Sequence, residues 1–490
     1  MSRTQDSTHS LALALFMVAI GWSTPSLAIG NGTFGPEHRF GVGARPWGPV
    51  AGHFDGNAHV DLAAVNNLGD SVSVLLGSGS GTLAAHVTYP VGDAPFGLAV
   101  GDFNGDGKQD LVSANCGSAD ISLLLGNGDG TFAPESRVTL GGCPNDVIVV
   151  HLDSGPTDDL VITNEGTDDV EILLGVGDGT FTPQVSPASP TDPASATAVD
   201  LNGDGKLDLA TANWGSGDVS IFLGNGDGTF GARTTMVVGS NPFQIISADF
   251  NGDDRSDLAL AVFSSMAVAI LLGQGDGTFV AQPSLDVGGR ANGIAVGSFD
   301  TVPAVDLAVA VQPLAGRVGI LLGRGDGSFA PIVHYTVGDN ALRIVVADLN
   351  EDCTQDLAVL NNVSNSFSIR LGIPASPLAV EGVRLAKPEP STARLTWSLV
   401  AGAAGYDVVR GSLGLLQAAS GDYSFAGTSC VANDSGVAQF DDKTAPDPDT
   451  GFWYLIRPRE SCGNGSYDSL APDQFAPRDP TILASGEDCP

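Results

Sequence analysis

Apolar residues along this chain come in short runs rather than in helical stripes. Segments such as Val72-Ser73-Val74-Leu75-Leu76 are apolar on successive positions and are bounded by Gly, Asn and Asp. Runs of this length between turn residues read as strands, and apolar character on both faces reads as a sheet covered from both sides. No segment of useful length keeps the period of an amphipathic helix.

The runs are themselves periodic. An Asp-Leu pair recurs at Asp61, Asp110, Asp159, Asp208, Asp257, Asp306 and Asp356, with successive separations of 49, 49, 49, 49, 49 and 50 residues. One copy reads as four strands, at residues 96–103, 110–114, 121–125 and 131–140, joined by Gly/Asn/Asp turns. Seven units of four short strands predict an all-β fold, a seven-bladed β-propeller, because stacked blades cover both faces of every sheet. After the third strand most copies carry a turn like Gly126-Asn127-Gly128-Asp129-Gly130-Thr131-Phe132, but the seventh stops at Leu371-Gly372. The missing piece stands near the other end of the chain, as Gly30-Asn31-Gly32-Thr33-Phe34. The strand at about residues 33–41 is therefore expected to be the outer strand of the seventh blade, leaving no open edge in the ring.

Between the first and second strands of four copies lies Asp-x-Asn-x-Asp-x-x-x-Asp. The loops are Asp102, Asn104, Asp106, Asp110; Asp200, Asn202, Asp204, Asp208; Asp249, Asn251, Asp253, Asp257; and Asp348, Asn350, Asp352, Asp356. With the main-chain carbonyl of Lys108, Lys206, Arg255 or Thr354 at the seventh position, each offers an oxygen cage suited to Ca²⁺. Donors without His or Cys argue against zinc and copper. The alternative is an Asx-rich turn with no ion, in which three carboxylates would repel one another. The other three loops have lost members: His53, Asp55, Asn57, Asp61; His151, Asp153, Gly155, Asp159; and Ser298, Asp300, Val302, Asp306. Their closing Asp persists, which implies that it also hydrogen-bonds the hairpin backbone.

Asp102-Phe103-Asn104-Gly105-Asp106-Gly107, followed by Leu124-Leu125-Gly126-Asn127-Gly128-Asp129-Gly130-Thr131-Phe132, resembles the FG-GAP/VCBS repeat family, similar to the propeller of integrin α subunits. The resemblance covers about residues 30–372. It implies Ca²⁺ in the acidic loops and an adhesive or carbohydrate-binding role, without naming one ligand.

Beyond about Pro374 the pattern changes. Arg394-Leu395-Thr396-Trp397, Gly405-Tyr406-Asp407-Val408-Val409-Arg410 and Trp453-Tyr454-Leu455-Ile456-Arg457, after a Pro-rich joint at Lys387-Pro388-Glu389-Pro390, resemble a fibronectin type III β-sandwich. At the other end Arg3, the apolar run at residues 11–22 and Ser26-Leu27-Ala28 read as a secretory signal peptide. The expected organisation is thus signal peptide 1–28, propeller 29–373 and sandwich 374–490. The six cysteines suit an oxidising compartment. Cys116 and Cys143 fall on one rim and are expected to pair, as are Cys430 and Cys462 within the sandwich, leaving Cys353 and Cys489 as a third candidate bridge.

Charge narrows the function. With 56 acidic against 21 basic residues the net charge is −35, which repels phosphate backbones and anionic lipid and favours cations. No zinc-protease, nucleophile-elbow or phosphate-loop motif is present. The sequence therefore reads as a secreted or cell-surface, non-catalytic binder of an extracellular protein or glycan. The second reading is a secreted polysaccharide lyase or hydrolase, or the accessory propeller of one. The expected ligand surface is the rim opposite the acidic loops, where Arg45, Trp47, Trp214 and Arg290 stand out. Trp47, Phe96 and Phe243 recur in register, which points to packing at the channel mouth.

Overall fold

A computed structural model describes residues 30–374, apart from 154, 188–190, 313–315 and 353. Beyond these it describes strand segments at 384–389, 392–396, 405–412, 429–432, 439–442, 452–460 and 463–464. The expected signal peptide, Trp397, the Cys430–Cys462 pair and the Cys353–Cys489 pair lie outside the described residues.

The chain divides into two compact units, and the repeats occupy the first, which ends at Ile373. Its strands make seven antiparallel sheets. In the second blade these are Pro95–Gly101, Asp110–Asn115, Asp120–Leu124 and Ser136–Thr139, from the innermost outward. The innermost strands of the other blades are Pro46–Gly52, Pro144–Val150, Pro193–Val199, Pro242–Ala248, Arg290–Gly297 and Ala341–Ala347. Each packs against the next and the seventh against the first, so the ring is closed and this unit is the expected seven-bladed propeller. The outer strand is shorter than the sequence suggests, starting at Ser136 rather than near 131. Gly126 and Phe132 form only an isolated bridge, and Pro134, without an N–H, interrupts the ladder before Ser136.

Closure follows the expected route. The N-terminal strand Gly30–Gly41 is the outer strand of the seventh blade, beside Ser366–Pro374. Buried Arg370 locks it by donating to the carbonyls of Gly35 and Thr336, and Glu37 accepts from Ser368.

The core lies between blades rather than within one. Six of the seven second strands, from Asp61–Asn66 to Asp356–Asn361, are buried at every position, and the sixth blade's, Asp306–Gln312, at all but Gln312. Seven apolar clusters fill the junctions, each drawn from two neighbouring blades: Val50, Phe54, Val65 and Val74 of the first blade, for instance, meet Leu98, Val100, Leu111 and Phe132 of the second. This is why the strands read as continuous apolar runs.

Among the described residues the second unit has two antiparallel sheets. Arg384–Glu389, Thr392–Thr396 and Gln439–Asp442 form one; Ser429–Ala432, Gly405–Ser412, Phe452–Glu460 and Gly463–Asn464 form the other. The Pro-rich joint expected at Lys387–Pro390 is partly strand. Its register shifts between Ala386 and Glu389, around Pro388, which cannot donate to a ladder.

Candidate metal loops and ligand-binding rim

Each acidic loop joins the end of an innermost strand to the closing Asp, the first residue of the second strand. That Asp is fully buried in all seven blades, and both its oxygens are used. One accepts the main-chain N–H two residues into the loop, from Phe54, Phe103, Leu152, Leu201, Phe250, Phe299 and Leu349, at 2.6–3.0 Å. The other accepts the N–H of a Gly at or just past the end of the third strand, from Gly77 round to Gly372, at 2.7–2.8 Å. The persistence of this Asp in the decayed loops thus has a structural cause. The Gly is required too, since a Cβ on Gly126 would sit 2.1 Å from the carbonyl oxygen of Gln109.

In the second blade the remaining loop oxygens order the turn. Asp102 Oδ1 accepts from Asp106 N at 3.1 Å and its Oδ2 from Gly107 N at 2.8 Å. Asn104 Oδ1 accepts from Asp106 N at 2.9 Å, and Asp106 Oδ1 from Lys108 N at 3.0 Å. Asp200, Asn202, Asp204 and Lys206 repeat the pattern in the fourth blade, as do Asp249, Asn251, Asp253 and Arg255 in the fifth. The basic side chain at the seventh position returns to the fifth: Lys108 Nζ lies 3.2 Å from Asp106, while Lys206 and Arg255 lie 3.9 Å from Asp204 and Asp253. Asp348, Asn350, Asp352 and Thr354 occupy the corresponding turn of the seventh blade, before Asp356.

Among the described residues no three of His, Cys, Asp or Glu converge closely enough to cage an ion in this arrangement. The donor chemistry nevertheless suits a hard divalent cation: three carboxylates and an amide oxygen in one short loop. Their mutual repulsion is visible at the closing Asp. Burial chiefly, with Asp102 and Asp106 adding to it, pushes the Asp110 carboxyl up to about 6 against its two backbone hydrogen bonds. Asp257 is pushed up to about 6 by burial and by Asp249 and Asp253. The decayed loops spend their remaining side chains internally. Asn57 Nδ2 donates to Asp55 at 2.7 Å, His53 Nδ1 contacts the His59 carbonyl at 2.8 Å, and Asp300 accepts from Val302 N at 2.8 Å.

The loops are also tied to the next blade. The main-chain carbonyls of Phe54, Phe103, Leu152, Leu201, Phe250, Phe299 and Leu349 each accept an N–H from a turn glycine of the following blade: Gly130, Gly179, Gly228, Gly277, Gly327, Gly32 and Gly81. Aromatic pairs reinforce four of these junctions, Phe54–Phe132 at 5.6 Å, Phe103–Phe181 at 5.8 Å, Phe250–Phe329 at 6.0 Å and Phe299–Phe34 at 5.4 Å. The repeated Phe and Gly positions are therefore the bolts between blades, and Gly32 and Phe34 supply them for the last.

On the opposite rim aromatic side chains form a continuous row. Trp47 meets Phe96 at 5.1 Å and reaches Phe243, on a blade not adjacent to its own, at 6.0 Å. Trp214 meets Phe243 at 5.6 Å and Phe263 at 5.3 Å, and the Arg290 guanidinium lies 5.0 Å above the Phe263 ring. The rings are half-buried and Arg290 is exposed. Leu68, Met266 and Val363 fringe the same rim at 67%, 48% and 64% exposure. Of the residues expected here, Trp47, Trp214 and Arg290 belong to the row. Arg45 does not; its N–H donates to Asn365 Oδ1 at 2.7 Å. Phe263 was not anticipated, because it occupies a turn position that is aromatic in only two copies, as Trp214 and Phe263. The Cys116–Cys143 disulfide also lies on this rim, joining the second blade to the third as expected.

Fold and loops together define a seven-bladed propeller whose first blades match an FG-GAP-like repeat. An FG-GAP-like repeat model matches residues 53–113, 102–154, 151–211 and 200–260, stretches that each begin within an acidic loop. Two solved structures share the fold. BBS1N in complex with ARL6DN is 13% identical, with a TM-score of 0.52 over 71% of this chain and 98% of that one. Virginiamycin B lyase from Staphylococcus aureus is 13% identical, with a TM-score of 0.50 over 70% of this chain and 100% of that one. No curated protein matches the chain.

Proposed function

We propose that the chain is a secreted or cell-surface propeller that binds Ca²⁺ in four loops and holds an extracellular protein or glycan on the opposite rim, without catalysing a reaction. The observation that carries the reading is the row from Phe96 through Trp47, Phe243 and Trp214 to Phe263 and Arg290. Rings with exposed edges beside a cation and an apolar fringe are the groups that anchor protein interfaces and stack on sugar faces. The ions would be held by Asp102, Asn104, Asp106 and Asp110 and their counterparts in the fourth, fifth and seventh blades, with the carbonyls of Lys108, Lys206, Arg255 and Thr354. Bound Ca²⁺ would supply counter-charge and stiffness to the far side of the ring rather than chemistry. The second unit is read as a fibronectin type III-like module, and residues 1–28 as the export signal.

The test is a glycan array and an extracellular-matrix protein panel, run with the native chain and with Trp214→Ala. The expected result is retention of one ligand class that Trp214→Ala weakens about tenfold or more, a loss in the range of an interface anchor. Retention unaffected by Trp214→Ala and by Arg290→Ala would move the site off this rim, and release of a cleaved product would make the protein an enzyme.

A further inference from the structure

The thirteenth residue before each closing Asp (Gly48 before Asp61, for instance) falls at the same level of all seven innermost strands. Three of the seven are glycine, Gly48, Gly97 and Gly293, and there is no room for more, since a Cβ on Gly293 would lie 2.2 Å from the Leu342 carbonyl oxygen. The other four are Asp146, Ser195, Gln244 and Arg343, and all line a cavity of about 280 Å³ inside the channel. Asp146 belongs to the third blade and Arg343 to the seventh, as far apart round the ring as two of seven blades can be. Among the described residues neither a hydrogen bond nor an ion pair joins them, although each is the other's principal charged neighbour.

Both groups are half-buried, and neither has an ion-pair partner among the described residues. The Arg343 guanidinium stacks 5.3 Å from the Phe243 ring centroid, and among the described residues its N–H groups donate to no protein acceptor. Asp146 has the Ser195 hydroxyl and the N–H groups of Val147 and Ala196 against it, yet burial holds its carboxyl above the usual range, with Arg343 only partly offsetting this. Gln244 gives its carbonyl oxygen to Ile294 N at 3.0 Å, which leaves its amide N–H groups for the cavity. Above them Trp47 and Phe243 meet across the channel mouth. Two opposed charges thus face one cavity, each without an ion-pair partner among the described residues.

We propose that this ring is a binding site for a small zwitterion of the amino-acid type, its carboxylate on Arg343 and Gln244 and its ammonium on Asp146 and Ser195. A simple anion would satisfy Arg343 and be repelled by Asp146; a simple cation would do the reverse. A molecule carrying both signs satisfies both, and the cavity volume admits only a small one. The site is separate from the metal loops and lies beneath Phe243 of the outer row.

The test is calorimetric titration of the intact protein with a series of ω-amino acids of graded chain length, alongside their N-acetyl and carboxamide analogues. One length is expected to bind best, and both analogues of that length to bind about tenfold or more weaker, since each removes one charge-assisted contact. Arg343→Gln and Asp146→Asn, checked for native melting, are expected to weaken the same ligand, and Asp146→Asn to leave rim-ligand retention unchanged. The analogue comparison needs no variant and so stands even where a substitution disturbs folding. No binding by any member of the series, or equal binding of the zwitterion and its N-acetyl analogue, would overturn the proposal.

Discussion

Asp306 shows most simply what burial does to a closing carboxylate, because Asp300 is the only other acid its loop supplies. Burial, ahead of the hydrogen bonds from Phe299 and Gly323, pushes its carboxyl up to about 6. A raised acid pKa means the folded chain holds the proton more tightly than the unfolded one. Its contribution to stability is therefore greatest below the unfolded value and declines as pH climbs towards the folded one. Asn resembles the protonated form, so Asp306→Asn should gain on the native chain between about pH 4 and pH 7, by up to roughly 3 kcal/mol. A constant offset in the native chain's favour remains, because Asn cannot accept both N–H groups. Urea midpoints of the two proteins at each pH test this; a gap that widens in the native chain's favour across that range contradicts it. Phe250, buried and paired with Phe329, is the corresponding apolar test: Phe250→Ala should cost about 3–5 kcal/mol in the same measurement. The channel ring was hidden at this scale, since Asp146, Ser195, Gln244 and Arg343 each occur once among seven copies. Aligning the repeats on the closing Asp is the signal that would have gathered them.

At the scale of the element, the N-terminal strand Gly30–Gly41 is the piece whose place was most legible. Gly30-Asn31-Gly32-Thr33-Phe34 is the turn the seventh copy lacks, and Gly32 and Phe34 make the bonds and ring contact that the other turns make. What could not be read was Arg370 beneath it, which stands where the other third strands carry Leu or Phe; Glu37 and Ser368 do recur, as Glu135 and Ser122 of the second blade. Removing residues 30–41 would expose an unpaired edge on the seventh blade and strip the cover from Phe299. Such a chain should melt at a lower temperature than the native one, and its monomer should give way to larger species on size-exclusion chromatography. An unchanged melting temperature and a monomer peak would show that closure does not depend on this strand. The second unit is less legible: the Tyr406 and Trp453 segments read as strands, whereas the sequence through Pro388 reads as a joint, since proline ordinarily marks an edge or a break.

Across the whole propeller, the blade count and its inter-blade core follow from a single spacing, because every blade buries both faces against neighbours of its own kind. The same repetition gathers acidic loops on one side of the ring and leaves the other side free to vary, where Trp214 and Phe263 stand. With a net charge of −35 and closing carboxylates already strained by burial, the loop side is the weak part of the ring without counter-ions. Ligand binding to the folded state alone raises its stability by mass action. The most direct measurement is therefore the melting temperature of the metal-stripped protein as Ca²⁺ is added, followed beside a variant carrying Asp102→Asn, Asp200→Asn, Asp249→Asn and Asp348→Asn. The account predicts that the native chain's melting temperature climbs with Ca²⁺ while the variant's stays level. Identical melting of the native chain with and without Ca²⁺ would contradict it.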